Sequence, residues 1–101
     1  MATPYSRGRA FEYRVKKLYE AMGWIVFRTA GSHSPADLIC MARDVILVQC
    51  KYSKSGRMKW NKKELRKLQL LLDRLKLAGY VAFNDEKGHI HLKLVGEILD
   101  D

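Results

Sequence analysis

The sequence predicts an α/β domain whose elements run helix, three strands, helix, two strands. Three observations carry the prediction. A helical stripe of large apolar residues lies near the start, three runs rich in β-branched and aromatic residues follow with short connections, and a leucine stripe then precedes two further strand-like runs. At 101 residues the chain is expected to form one domain, residues 1–101, around a single core.

In residues 9–22 the larger apolar side chains fall at Phe11, Val15, Leu18, Tyr19 and Met22, one face of a helix, with Arg9, Glu12, Lys16 and Glu20 opposite. Gly23 is the expected residue just beyond its C-terminus. "WIVFRTA" (24–30), "ADLICMA" (36–42) and "VILVQCK" (45–51) read as three strands, and their short connections suit an antiparallel meander. Residues 52–60 are polar and basic with Gly56 in the middle, a surface loop. Asn61, three residues before Glu64, resembles a capping box opening a second helix. That helix is predicted to run to Ala78, with Leu65, Leu68, Leu72 and Leu75 on one stripe and Gly79 at its end. "YVAFN" (80–84) and "HIHLKLV" (89–95), joined by the turn Asp85-Glu86-Lys87-Gly88, complete the order as two strands. No internal repeat or low-complexity segment interrupts it.

With 48% hydrophobic and 30% charged residues the composition is globular rather than disordered. The formal charge is +8 and the pI about 9.7. A basic balance of that size suits a polyanion partner through counterion release, and it equally suits simple solubility. The distribution is more telling. Lys51, Lys54, Arg57, Lys59, Lys62, Lys63, Arg66, Lys67, Arg74 and Lys76 form one group, with Tyr52 and Trp60 inside it, while Arg7, Arg9, Arg14, Lys16 and Lys17 surround the first helix. This pattern favours a phosphate-binding surface over an ordinary solvated face. No zinc finger or basic zipper is present, so backbone and shape recognition is expected.

No apolar run approaches the length of a membrane span, and the opening "MATPYSRGRAF" lacks a signal-peptide core. A soluble intracellular protein, with no membrane partner, is the expectation. Cys40 and Cys50 sit in apolar strand-like runs without zinc-site spacing and read as buried thiols in a reducing compartment.

One constellation carries chemistry. Asp37 opens an apolar strand directly after "GSHSPA", and the next strand ends in Gln49 and Lys51, which alternation places on one face with Cys50 on the other. If the two strands are hairpin neighbours, Asp37, Gln49 and Lys51 converge at one sheet edge, and Glu12 from the first helix can complete the set. Carboxylate and amide oxygens would there hold Mg2+, which activates water, while the ammonium stabilises developing charge. Polar strand ends are also common for purely structural reasons, so this spacing alone leaves that reading open. Ser32 beside His33 offers a nucleophile and base in name only, since adjacent residues rarely face each other; turn chemistry accounts for the pair. His89 and His91 share a strand face as a metal-capable pair or as simple solvent-facing or packed side chains.

Over nearly its whole length the chain resembles the archaeal-type Holliday junction resolvases, a branch of the PD-(D/E)xK nuclease superfamily. The matching pieces are "RGRAFE" (7–12), "GWIVFR" (23–28), "GSHSPADLI" (31–39) and "VILVQCK" ending on the motif lysine. The resemblance implies a restriction-endonuclease-like fold with a mixed five-stranded sheet flanked by helices. It also implies a homodimeric, Mg2+-dependent endonuclease, with Mn2+ as substitute metal, that recognises four-way DNA junctions by shape and nicks two strands symmetrically, in DNA recombination and repair. Such an enzyme would act in the cytoplasm, the host's if the chain is viral. Carried over by position, Glu12, Asp37 and Gln49 form the metal site, Lys51 assists the attacking water and Ser32 lies on a loop beside the scissile phosphate. Arg7, Arg9 and Arg28 contact or order the DNA backbone. Lys54, Arg57, Lys59, Lys62 and Lys63 extend that surface, and Gln69 supports the site from the second helix.

Three residues depart from the family pattern. Tyr13 stands where arginine is usual, so the corresponding contact falls to Arg14 or is missing; Ala36 separates Pro35 from Asp37; and Gln49 replaces an acidic residue. An amide oxygen binds metal but brings no charge. Two alternatives to junction resolution therefore stand: a broader repair or restriction-like nuclease, and a junction-binding module that has lost cleavage.

Overall fold

A computed structural model describes residues 3–29 and 34–100. Eight elements follow in order: α1 (Pro4–Ala21), β1 (Ile25–Arg28), β2 (Leu38–Met41), β3 (Val45–Lys51), α2 (Lys62–Leu75), β4 (Ala78–Asn84), β5 (Ile90–Leu94) and α3 (Val95–Leu99). The predicted order is observed, with a short α3 added after the last strand, from Val95 where that strand was expected to end. One five-stranded sheet carries the strands in sequence order. The first three form the expected antiparallel meander, β3 and β4 are parallel, and β5 returns antiparallel. A parallel pair needs a crossover, and α2 is that crossover.

α1 starts five residues before the predicted boundary. Thr3 caps it by accepting from the Ser6 N–H, Ser6 Oγ accepts from the Thr3 N–H in return, and Pro4 occupies the first turn where its missing N–H is harmless. Residues 4–8 contribute no apolar stripe, so periodicity does not register them. At the other end α2 stops three residues before its predicted end, with Lys76 in the left-handed conformation at φ 56°. Gly79 is thereby not a helix terminator but a residue of β4, buried against Leu72, whose methyl groups occupy the space a Cβ would need. Leu75, expected on the buried stripe, is exposed because the helix ends there.

Two apolar cores sandwich the sheet. Under α1 lie Phe11, Val15, Tyr19, Val26, Leu38, Cys40, Ile46 and Val48. On the other face α2 and α3 cover Leu47, Leu65, Leu68, Leu72, Val81, Val95 and Ile98. β3 is buried on both faces over residues 46–49, as a central strand must be, and its alternation sends Cys50 toward the α1 core while Gln49 follows Leu47 toward α2.

Candidate active site

The pairing of Leu38 with Val48 sets the geometry, because it brings the residue before β2 alongside the end of β3. Asp37 extends that ladder: its N–H donates to the Val48 carbonyl at 2.8 Å, and its Oδ2 accepts from the Cys50 N–H at 2.7 Å. The carboxylate is thus fixed at the sheet end by the backbone of β3. Burial pushes its pKa up first. The Cys50 N–H opposes that shift, and the carboxylates of Glu12 and Glu64 and the Lys51 ammonium all act on it from nearby. Cys50, facing the other way, is also pushed up, by burial and then by Asp37 and Glu12, so its thiol stays neutral.

Gln49 is only 3% exposed. Its Nε2 donates to Glu64 Oε1 at 2.7 Å, leaving its Oε1 buried without a protein partner. Lys51 Nζ donates to the other oxygen of Glu64 at 3.0 Å. Glu64 occupies the third position of α2, and Asn61 caps that helix by accepting from the Glu64 N–H at 3.2 Å. Only half of the predicted capping box forms, since the Glu64 side chain leaves the helix end and bridges two residues of β3. Sequence reading assigned Glu64 to capping alone; its place at the start of a crossover helix beside β3 was the available signal.

Glu12 reaches the same region from α1. Arg28 holds it, with Nε and Nη2 both 3.4 Å from Glu12 Oε1, and stacks its guanidinium 4.6 Å above the Tyr13 ring while donating to the Tyr13 hydroxyl. The departure at Tyr13 therefore shapes Arg28, which orders Glu12. Arg14 does not take over a contact at the site: it donates to the Gly88 carbonyl at 2.8 Å, tying α1 to the β4–β5 turn. Arg9 is exposed on α1, and Arg7 is half-buried two residues earlier.

The basic loop leaves the sheet beside α1, because Tyr52 packs against Phe11 with ring centroids 5.8 Å apart. Trp60 at its other end packs edge-on against Phe83 at 5.1 Å. Both aromatics thus anchor the loop inward. Between them Lys54, Arg57 and Lys59 are exposed, and a shallow cleft of about 450 Å³ lined by Lys51, Tyr52, Ser53, Arg57 and Lys59 runs along the loop. Arg57 lies 3.9 Å from Glu86, Lys63 is exposed, and Lys62 is partly buried at the start of α2. The loop is clamped by Asn84, 3% exposed, whose amide accepts from the Ser53 N–H and donates to the Ser53 carbonyl.

The structure does not bring Gln69 to the site. Its amide donates to Asp73 one turn on, and its oxygen lies against Gly96 of α3. Ser32 lies outside the described residues. His91 pairs with Asp85 at 2.8 Å and stacks on Phe83 at 5.4 Å, so the histidines support a turn.

The model of the archaeal Holliday junction resolvase family, Hjc, matches residues 3–96. The chain belongs to that family. Crossover junction endodeoxyribonuclease Hjc of Methanocaldococcus jannaschii is 36% identical over 69 residues, covering 67% of this chain and 51% of that protein. The chain thus spans about half the length of this curated relative. The solved structure of Archaeoglobus fulgidus Hjc, a Holliday junction resolvase from an archaeal hyperthermophile, superimposes with a TM-score of 0.77 at 20% identity, covering 90% of this chain and 75% of that one. The resolvase fold is thereby shared. No helix among the described residues is long and apolar enough to cross a membrane.

Oxygen donors suit a hard divalent cation, and the orphaned Gln49 Oε1 is a buried acceptor that such an ion would satisfy. Among the described residues no three acidic, histidine or cysteine side chains converge into a finished metal cluster. Glu12 is drawn to Arg28 and Glu64 to Lys51, so each carboxylate already has a cationic partner. The residues therefore fit a metal by donor chemistry, with the charges of Glu12 and Glu64 engaged by protein cations and Asp37 held by the Cys50 N–H.

Proposed function

We propose that this chain is a Mg2+-dependent endonuclease that binds four-way DNA junctions and resolves them by paired symmetrical nicks. The observation that carries the reading is the convergence of Asp37, Gln49 and Lys51 at the end of β3, within a chain matched by the resolvase family over residues 3–96. Glu12, Asp37 and the Gln49 oxygen would hold the ion. When bound, Mg2+ supplies a Lewis acid for the phosphate and lowers the pKa of a water nucleophile.

The protein's own groups do the rest. Asp37 is immobilised at the end of β3 by the Cys50 N–H, where its carboxylate would help to hold the ion. Lys51 pairs with a partly exposed Glu64, and an incoming phosphate competes for its ammonium, placing a positive charge beside the scissile group. Arg28 keeps Glu12 aimed at the same region. Arg7 and Arg9 on α1, with Lys54, Arg57, Lys59, Lys62 and Lys63 beyond β3, provide the backbone-binding surface.

A homodimer suits this activity, since symmetrical nicking needs two sites. A face of β1 and β2 that α2 leaves bare supports one: Ile25, Phe27 and Met41 are 65%, 53% and 42% exposed, and Ile25 pairs directly with Met41. Two free thiols suit a cytoplasmic location.

Labelled four-way junctions incubated with the protein and Mg2+ should yield paired nicks, and duplex of the same sequence should survive. Junctions that stay intact at high protein and metal concentration refute the nuclease reading; equal cleavage of duplex refutes the junction selectivity. The neutral amide at Gln49 favours one second reading, a junction-binding module without cleavage, which predicts binding with no Mn2+ uptake.

A further inference from the structure

We propose that Glu64, on α2, supplies to the metal site the carboxylate that β3 lacks at Gln49. This rests on the metal-dependent nuclease reading above and extends it to a residue outside the strand motif. The geometry that points to it is a single hydrogen-bonded array. Gln49 Nε2 and Lys51 Nζ donate to the two oxygens of Glu64, at 2.7 and 3.0 Å. Because the amide nitrogen is committed to Glu64, the amide oxygen must face the other way, and it is this oxygen that lies buried with no protein partner. For one ion to bind both, the amide must turn over, exchanging its hydrogen bond to Glu64 for a ligand oxygen; the carboxylate then brings the charge and the amide a neutral ligand.

The ordinary role of an acidic residue in the first turn of a helix is to cap it and complement its dipole. Glu64 does not spend its side chain that way, since Asn61 already caps the helix and the carboxylate crosses to β3. Its side chain is about one-third exposed, as is that of Lys51, so an ion could enter without unfolding the element. Metal entry would exchange the Lys51–Glu64 ion pair for a metal–carboxylate contact and release Lys51 toward phosphate.

Three variants test this: Glu64→Gln, Gln49→Glu/Glu64→Gln, and Asp37→Asn as a reference for loss of the site. Free Mn2+ is followed by electron paramagnetic resonance during titration of the full chain without DNA, and circular dichroism confirms folding of each variant. Glu64→Gln should weaken Mn2+ binding by about ten- to hundredfold. The double variant, which moves the carboxylate from helix to strand, should recover most of it. Glu64→Gln binding Mn2+ as the wild type does overturns the assignment, and so does a folded double variant as weak as Glu64→Gln. A wild-type chain that binds no Mn2+ removed by Asp37→Asn overturns the metal-nuclease reading along with it. Wild-type binding with junctions left uncut overturns only the nuclease reading.

Discussion

Asn84→Ala is expected to loosen the basic loop without touching the residues at the end of β3. The native amide accepts from the Ser53 N–H at 2.8 Å and donates to the Ser53 carbonyl at 2.7 Å and the Asp85 carbonyl at 3.2 Å. Net worth is about 1 kcal/mol per bond, and a truncation that leaves buried partners unsatisfied costs more. Ser53 is partly open to water, so rehydration returns some of that loss. The expected destabilisation is about 2–3 kcal/mol, which for a domain of this size lowers Tm by roughly 10–20 °C. Urea unfolding gives the free energy, and fluorescence anisotropy with a labelled junction gives the affinity, which should fall because Lys54, Arg57 and Lys59 lose their common anchor. Asn84→Asp keeps the acceptor but turns both donated bonds into oxygen–oxygen repulsions, and it should cost at least as much. A loss below about 1 kcal/mol in the alanine variant, or a harmless aspartate, would refute the clamp.

Asp37→Asn should abolish cleavage while leaving junction binding intact. In chelator-treated buffer it should also be more stable than the wild type at neutral pH. Burial raises the Asp37 pKa in the folded state, so the ionised form subtracts stability above that value. The gap in Tm should close as pH falls to the ordinary carboxylate range near about 3.9; a gap that widens in acid contradicts the desolvation. Asp85 behaves oppositely: His91 and the backbone N–H groups of His89 and Lys87 pull its pKa down to about 2. Its stabilisation is present above the unfolded range and lost as pH falls through about 2, so Asp85→Asn should flatten the acid limb of urea midpoints. Gly79→Ala should destabilise by about 1–3 kcal/mol through collision with the Leu72 methyl groups, and Leu72→Ala in the same chain should relieve part of that penalty.

How far these residues could be read in advance follows from the range of the forces involved. Apolar periodicity and strand propensity act over a few residues, so "VILVQCK" could be recognised as a strand with Gln49 and Lys51 on one face, and its observed bounds are those expected. The meander and the convergence of Asp37 with the end of β3 followed from short connections and alternation, whereas the crossover that makes β4 parallel to β3 emerged only in the fold. Weaker local signals were overridden. Gly79 looked like a helix stop because glycine usually is one, but close packing of Leu72 demanded it inside β4.

What only the tertiary structure decided is the fate of polar side chains with several competing partners. Glu64 could cap its helix or reach β3, Arg14 could face DNA or the Gly88 carbonyl, and Trp60 could stack on a base or on Phe83. Local sequence does not rank those choices, because each depends on atoms distant in the chain that burial brings within hydrogen-bonding or packing range. Residue type and alternation thus determined which strand end carries the chemistry. Packing of α2 against β3 determined that Gln49 meets a carboxylate there, and that its own oxygen is left buried without a partner.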